Sequence, residues 1–294
     1  MAHPQSGWQQ HGITPACAFQ LFGMRRAGNH GIANWLVRNA PTNATGALFY
    51  NNCRYGADPL MKFASLDVYD AQGVAVLPEA RGPKRRIQDA GPRPMVVVSY
   101  EDRMPAHIGA PQKASRGYSD SDFTHSVLIY RSVLNWSASL LAKLQRNPGY
   151  GPVERFRVMM NAVSTYLDGL DCVAENRSVN ICYDDWMAFP DARARLLQSL
   201  GLPCRDNTRG QVQRFGGGSS FQPEAGGAAA LNSLSRVAEM ADDREYQMLL
   251  WTIAQDAHAI QRLMPHFPDD AARLTALAQA ASFDITLPSR KDTR

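Results

Sequence analysis

Short apolar segments alternate with amphipathic helical patterns along this chain, and this alternation constrains its fold more than any other feature. The predicted strands are 17–22, 95–99, 126–130 and 179–183. Helical patterns follow three of them, at 32–36, 133–144 and 191–200. Such alternation predicts the α/β class, with a central parallel sheet flanked by helices on both faces.

The rest of the chain has weaker patterning. Residues 42–93 mix Asn, Gly, Pro and charge, and we predict a loop-rich stretch there. The apolar spacing from Tyr246 to Ile260 predicts one long helix before a weakly patterned tail. We therefore expect a single domain over 1–294, with an α/β core at 17–221 and a mainly helical C-terminal extension at 228–294.

Charge and composition disfavour several function classes. Because 31 Lys and Arg oppose 27 Asp and Glu, the net charge of +4 requires neither nucleic acid nor an anionic membrane as partner. The basic cluster from Arg81 to Arg86 lacks the aromatic residues that accompany nucleic-acid binding. No segment is apolar over the length of a membrane span, and no signal peptide is evident. Five cysteines without a CxxC pair predict a cytoplasmic protein without a disulfide framework or a metal site.

A basic loop separates the first predicted strand from the first predicted helix. Backbone N–H groups at a helix N-terminus bind phosphate, and Gly28 permits close approach of a ligand. Arg25 and Arg26 add positive charge, and Asn29 and His30 can donate hydrogen bonds. The loop lacks G-x-x-x-x-G-K-[ST], which disfavours an ATP or GTP site.

The segment Arg26-Ala27-Gly28-Asn29-His30 resembles the 5′-phosphosulfate loop of sulfotransferases, written K/R-S-G-T-T-W, in its R-S-G-N-H variant. The resemblance implies that this loop binds the 5′ end of 3′-phosphoadenosine 5′-phosphosulfate (PAPS) and that Arg26 and His30 stabilise the leaving group. Two positions depart from the pattern. Ala27 replaces a Ser, and Gly31 stands where a Trp that stacks on adenine is common.

Three later segments resemble the same family in the same order. Arg131 at a strand end and Ser139 eight positions later are similar to the pair that binds the 3′-phosphate. Tyr183 ends a strand near the nucleotide in relatives. Arg214 with Gly216, Gly217 and Gly218 resembles a late glycine loop that closes over the 3′-phosphate.

The resemblance implies a P-loop NTPase-like sulfotransferase fold and a PAPS-dependent enzyme that releases PAP without a metal. The acceptor is expected to be a hydroxyl of a sugar, lipid or small metabolite. Glu101 is the first candidate for the general base, followed by Asp102 and then His107. A non-catalytic nucleotide-binding module and a small-molecule kinase of related fold remain alternatives, and the sequence does not indicate the oligomeric state.

Overall fold

The computed structural model describes residues 7–76, 83–105, 113–210 and 235–280. Seven strands form one sheet, in the order β4-β3-β2-β5-β1-β6-β7. Their bounds are β1 Cys17–Gly23, β2 Ala47–Asn51, β3 Ser65–Tyr69, β4 Ala75–Val76, β5 Met95–Glu101, β6 His125–Tyr130 and β7 Val179–Cys182.

The five strands from β2 to β7 along this order are parallel, and β3 and β4 extend the sheet in antiparallel fashion. In the centre, Cys17 pairs with Met95 and Gly23 pairs with Glu101, so β1 and β5 end at the same level. Six of the seven residues of β5 are buried. Burial on both faces explains why this strand is a continuous apolar run.

Helices follow the strands and then dominate the C-terminal part. Their bounds are α1 Gly7–Gln10, α2 Asn29–Arg38, α3 Pro83–Asp89, α4 Val133–Gln145, α5 Pro152–Ala174, α6 Tyr183–Ala188, α7 Pro190–Ser199, α8 Arg236–Glu239, α9 Arg244–Ala254, α10 Ala257–Leu263 and α11 Pro268–Ala280.

Two apolar clusters cover the two faces of the sheet. One contains Trp35 of α2 and Trp136 of α4, and it extends without a break to Leu249 of α9 and Leu274 of α11. The other cluster includes Trp8 and Ile87 from α1 and α3. The predicted α/β architecture with a helical C-terminal part is therefore confirmed.

Local predictions were only partly correct. Most of the described residues of 42–93 lie in loops, as predicted, but the stretch also contains β2, β3, β4 and α3, which the sequence did not reveal. These elements are too short to produce a clear periodicity, although Ala47 to Tyr50 are fully buried. The single helix predicted over Tyr246–Ile260 is two helices, because the Asp256 side chain accepts from the amides of His258 and Ala259 and starts α10. The weakly patterned tail contains α11.

The described ranges also bear on membrane and metal sites. Each helix in them is too short or too polar to cross a membrane. Their His, Cys, Asp and Glu side chains include no group of three arranged to hold a metal ion.

Candidate anion-binding site

The carboxyl ends of β1 and β6 lie side by side at a topological switch point. The chain leaves β1 towards β2 and leaves β6 towards β7, on opposite sides of this pair. Open α/β sheets bind ligands in the crevice at such a point. The loop 24–28 follows β1 and Arg131 follows β6, so the two basic segments singled out by the sequence meet there.

Three carbonyl oxygens of the loop after β1 accept hydrogen bonds within the protein. Met24 accepts from the backbone N–H of Ala27 and from the Asn29 side chain. Arg25 accepts from the indole N–H of Trp136 at 2.9 Å, and Arg26 accepts from Arg131 at 3.4 Å. These bonds fix the path of the backbone beneath the crevice.

The end of this loop has an unusual backbone conformation. Arg26 has φ of 69° and Gly28 has φ of 105°. A left-handed conformation at a residue other than glycine is uncommon and is often found at functional sites. The backbone turns at Arg26 and Gly28 lead the chain directly into α2. The amides of Asn29, His30 and Gly31 lie in the first turn of this helix and have no intrahelical acceptor.

Arg131 directly follows β6 and is buried, with an exposed fraction of 3%. Besides its bond to Arg26, its guanidinium lies 3.7 Å from an oxygen of Asp184 and 5.1 Å from the ring centre of Tyr183. The hydroxyl of Tyr166 donates to the Arg131 carbonyl at 2.8 Å. Arg131 therefore faces the loop with both its side chain and its backbone fixed.

A third arginine, Arg236, lies near Arg26 and Arg131. Arg236 of α8 has an exposed fraction of 4%, and α8 packs against α4. Burial and the charges of Arg131 and Arg26 lower the pKa of Arg236 to about 10. Burial and the charge of Arg131 also lower the pKa of Arg26. Three guanidinium groups within electrostatic reach of one another favour a multiply charged anion.

Aromatic rings cover the other side of the loop. The Tyr183 ring lies against Gly28 and stacks on Trp186, with ring centres 5.7 Å apart. A β-carbon at position 31 would lie 3.9 Å from the Trp186 ring, so Trp186 fills space beside Gly31. Tyr183 opens α6 rather than ending the strand, which corrects the predicted bounds of β7.

Ala27 is 1% exposed and belongs to the main apolar cluster. A hydroxyl at this position would be placed among apolar side chains, where its burial is unfavourable without a partner. The packing thus accounts for the Ala that stands in place of the usual Ser.

His30 lies in the first turn of α2 with its ring edge against Phe49 of β2, at 5.7 Å between centres. Burial, and next the charge of Arg26, lower the pKa of His30 to about 4. The imidazole is therefore neutral at physiological pH. It can donate one hydrogen bond but contributes no charge.

Glu101 and Asp102, at the end of β5, have different surroundings. Asp102 accepts from the Arg25 amide at 2.8 Å and forms an ion pair with the Arg25 side chain. Within the described part of the chain, the Glu101 carboxylate makes no hydrogen bond or ion pair. Burial and the charge of Asp102 raise the pKa of Glu101, while Arg25 and Arg26 oppose this rise. Asp102 fixes the loop through Arg25, whereas the role of Glu101 as general base stays a prediction.

The remaining predicted site residues divide into two groups. Ser139 is buried in α4, one turn after Trp136, on the helix face that includes the loop-binding indole. Its pairing with Arg131 on a phosphate stays a prediction. The other group lies outside the described residues and comprises His107, Arg214, Gly216, Gly217 and Gly218.

Sequence reasoning missed three residues of this site. Asp184 directly follows Tyr183 and Trp136 lies between Arg131 and Ser139, but only the fold shows that Asp184 contacts Arg131 and that Trp136 contacts the loop. Arg236 lies in a helix of four residues without a recognisable motif. No local pattern would have identified it.

The fold and the site together define an α/β protein with a cluster of three arginines at the switch point of its mainly parallel sheet. No protein-family model matches the chain, and no curated protein matches it. Among solved structures, the chain is similar to mouse sulfotransferase SULT7A1 complexed with PAP. The identity is 10%, the match covers 92% of this chain and 94% of that chain, and the TM-score is 0.42.

Proposed function

We propose that this protein is a sulfotransferase that moves a sulfuryl group from PAPS to a hydroxyl acceptor. One observation carries the proposal: the Arg131 guanidinium donates to the Arg26 carbonyl at 3.4 Å. In the family that the sequence resembles, the two segments bind the 5′ and 3′ phosphates of one nucleotide. Both phosphates are attached to one ribose, so their binding elements must be neighbours, as they are here.

The charge of the crevice suits this ligand. PAPS carries phosphate and sulfate groups, and Arg26, Arg131 and Arg236 present guanidinium groups that bind such oxygens in forked geometry. The first-turn amides of α2 add donors at the positive end of the helix dipole. A bound polyanion would relieve the repulsion among the three arginines.

The order of groups along the sheet edge suits transfer to an acceptor. Arg131 and the Arg26 loop follow β6 and β1, and Glu101 is the last residue of β5; the three strands are consecutive in the sheet. The acceptor oxygen would attack sulfur as the bond from sulfur to the 5′-phosphate oxygen breaks, and Glu101 would accept the hydroxyl proton. Arg26 would stabilise the charge on the departing phosphate, and neutral His30 would add one N–H donor.

The acceptor would bind beyond Glu101, towards β2. Asn51 ends β2, the strand beside β5, and the Arg103 guanidinium lies 5.7 Å from the Tyr55 ring centre. Polar and aromatic groups of this kind suit an alcohol of a sugar, lipid or small metabolite.

Calorimetric titration with PAP and with ATP tests the nucleotide site. We expect selective binding of PAP, weakened about 30-fold or more by Arg131→Ala and by Arg236→Ala because each removes a charged donor. Arg157→Ala is the matched control, since Arg157 is exposed and pairs only with Glu154 in the described structure. Equal affinity for both nucleotides, or an unaffected Arg131→Ala variant, would contradict the proposal. PAP binding without sulfuryl transfer to any hydroxyl acceptor would instead identify a non-catalytic module.

A further inference from the structure

Asp270, in the first turn of α11, is a buried carboxylate with an exposed fraction of 8%. One of its oxygens accepts from the Ser132 hydroxyl at 2.7 Å and from the Leu134 amide at 3.4 Å. Burial raises the pKa of Asp270. A carboxylate this deeply buried is retained only where its hydrogen bonds are well made, and both partners here belong to the start of α4.

Ser132 caps α4 and transmits this contact. Its hydroxyl oxygen accepts from the Asn135 amide at 3.3 Å while its proton is donated to Asp270. Its backbone N–H donates to Asp184 at 2.6 Å. The hydroxyl orientation and the backbone of Ser132 are therefore both determined. Among these three partners of Ser132, Asp270 is the most distant along the chain, 138 residues away.

Arg131 directly precedes this cap. Asp184 connects the two residues, because one of its oxygens accepts from Ser132 and the other lies 3.7 Å from the Arg131 guanidinium. A displacement of Ser132 would shift both Asp184 and the backbone that carries Arg131. The position of the Arg131 guanidinium thus depends on the contact between Ser132 and Asp270 of α11.

We propose that Asp270 is a positioning residue that orients Arg131 through Ser132 and Asp184, so that the C-terminal helices set the affinity of the anion site. The identity of the anion rests on the function proposed above. The contact itself does not, since it joins Asp270 to Ser132 and Leu134 of this chain alone.

Substitution of Asp270 by Asn distinguishes two effects on anion affinity: the loss of the positioning of Arg131 and the loss of a nearby negative charge. Removal of a negative charge near the crevice would by Coulomb's law strengthen the binding of an anion. Loss of positioning would weaken it. We expect Asp270→Asn to raise the Kd for PAP about tenfold, whereas Asp269→Asn, at the exposed neighbouring position, leaves it unchanged.

A double-mutant cycle tests whether Asp270 acts on PAP affinity through Arg131. If Asp270 acts through Arg131, Asp270→Asn causes no further loss of PAP affinity in the Arg131→Ala background. A second loss of the same size there, or an unchanged Kd in the single variant, would overturn the inference.

Amide hydrogen exchange at residues 131–136 provides a readout that does not depend on the nucleotide. We expect faster exchange there in Asp270→Asn than in wild type or Asp269→Asn, because the capping contact is weakened. Should wild-type protein fail to bind PAP, the sulfotransferase proposal fails, and this exchange comparison alone decides the positioning role. Identical exchange in all three proteins would refute it.

Discussion

The Tyr183 ring covers Gly28 so closely that a β-carbon at position 28 would lie 2.1 Å from the Tyr183 Cδ2 atom. Gly28 also has φ of 105°, a conformation that L side chains rarely adopt. Two independent constraints therefore require glycine at the point where the loop enters α2. This contact also connects the ends of β1 and β7, which lie on either side of β6.

Replacement of Gly28 by Ala should distort the loop and move the Tyr183 ring. We expect a loss of stability of about 1–3 kcal/mol from backbone strain together with the steric overlap, and at least a tenfold loss of PAP affinity because the first-turn amides are displaced. Chemical denaturation and calorimetry measure the two effects.

Gly201→Ala is the matched control for this prediction. Gly201 also has positive φ, at 64°, but a β-carbon there would meet no atom within 4 Å. It should lose only about 1 kcal/mol of stability and keep normal PAP affinity. Normal PAP binding by Gly28→Ala would show that the loop geometry is not needed for the nucleotide.

The extent to which the sequence predicts this molecule depends on the distance between interacting residues along the chain. The loop at 25–30 and Arg131 were predictable, because each follows a strand directly and the required residue types are contiguous. Asp270 contacts Ser132 across 138 residues. A single sequence contains no local sign of such a contact.

The sequence also did not show that the neighbouring acids Glu101 and Asp102 have different surroundings. Glu101 and Asp102 are adjacent, but only the fold shows that Asp102 pairs with Arg25 while Glu101 does not. The short strands of 42–93 were missed for a related reason, since segments of two to five residues yield too few repeats to reveal a period.

The lowered pKa of His30 predicts a pH dependence of stability. Its ordinary pKa is 6.5 and its folded value is about 4, so between these values the unfolded state binds more protons than the folded state. The free energy of unfolding should therefore fall as the pH drops through this window. For this one group we expect a loss of about 2 kcal/mol between pH 7 and pH 5.

Urea unfolding of wild type and His30→Gln at the two pH values checks this expectation. The variant lacks the titrating imidazole, so its stability should fall less than that of wild type over the same interval. His258→Gln, at an exposed position, should behave as wild type does. If the wild-type and His30→Gln stabilities fall in parallel, the neutral state of buried His30 is not coupled to folding.

The different surroundings of Glu101 and Asp102 predict different consequences of removing each charge. Glu101→Gln should lower turnover at least about 100-fold, because the acceptor proton then has no base, and its Kd for PAP should stay within about twofold of wild type. Asp102→Asn should instead weaken PAP binding and lower the thermal midpoint, since the Arg25 ion pair and its amide bond are disturbed. Steady-state rates, calorimetry and thermal unfolding of both variants distinguish these effects. Full turnover in Glu101→Gln would assign the base to another group, and equal losses of PAP affinity in both variants would give Glu101 the same loop-fixing role as Asp102.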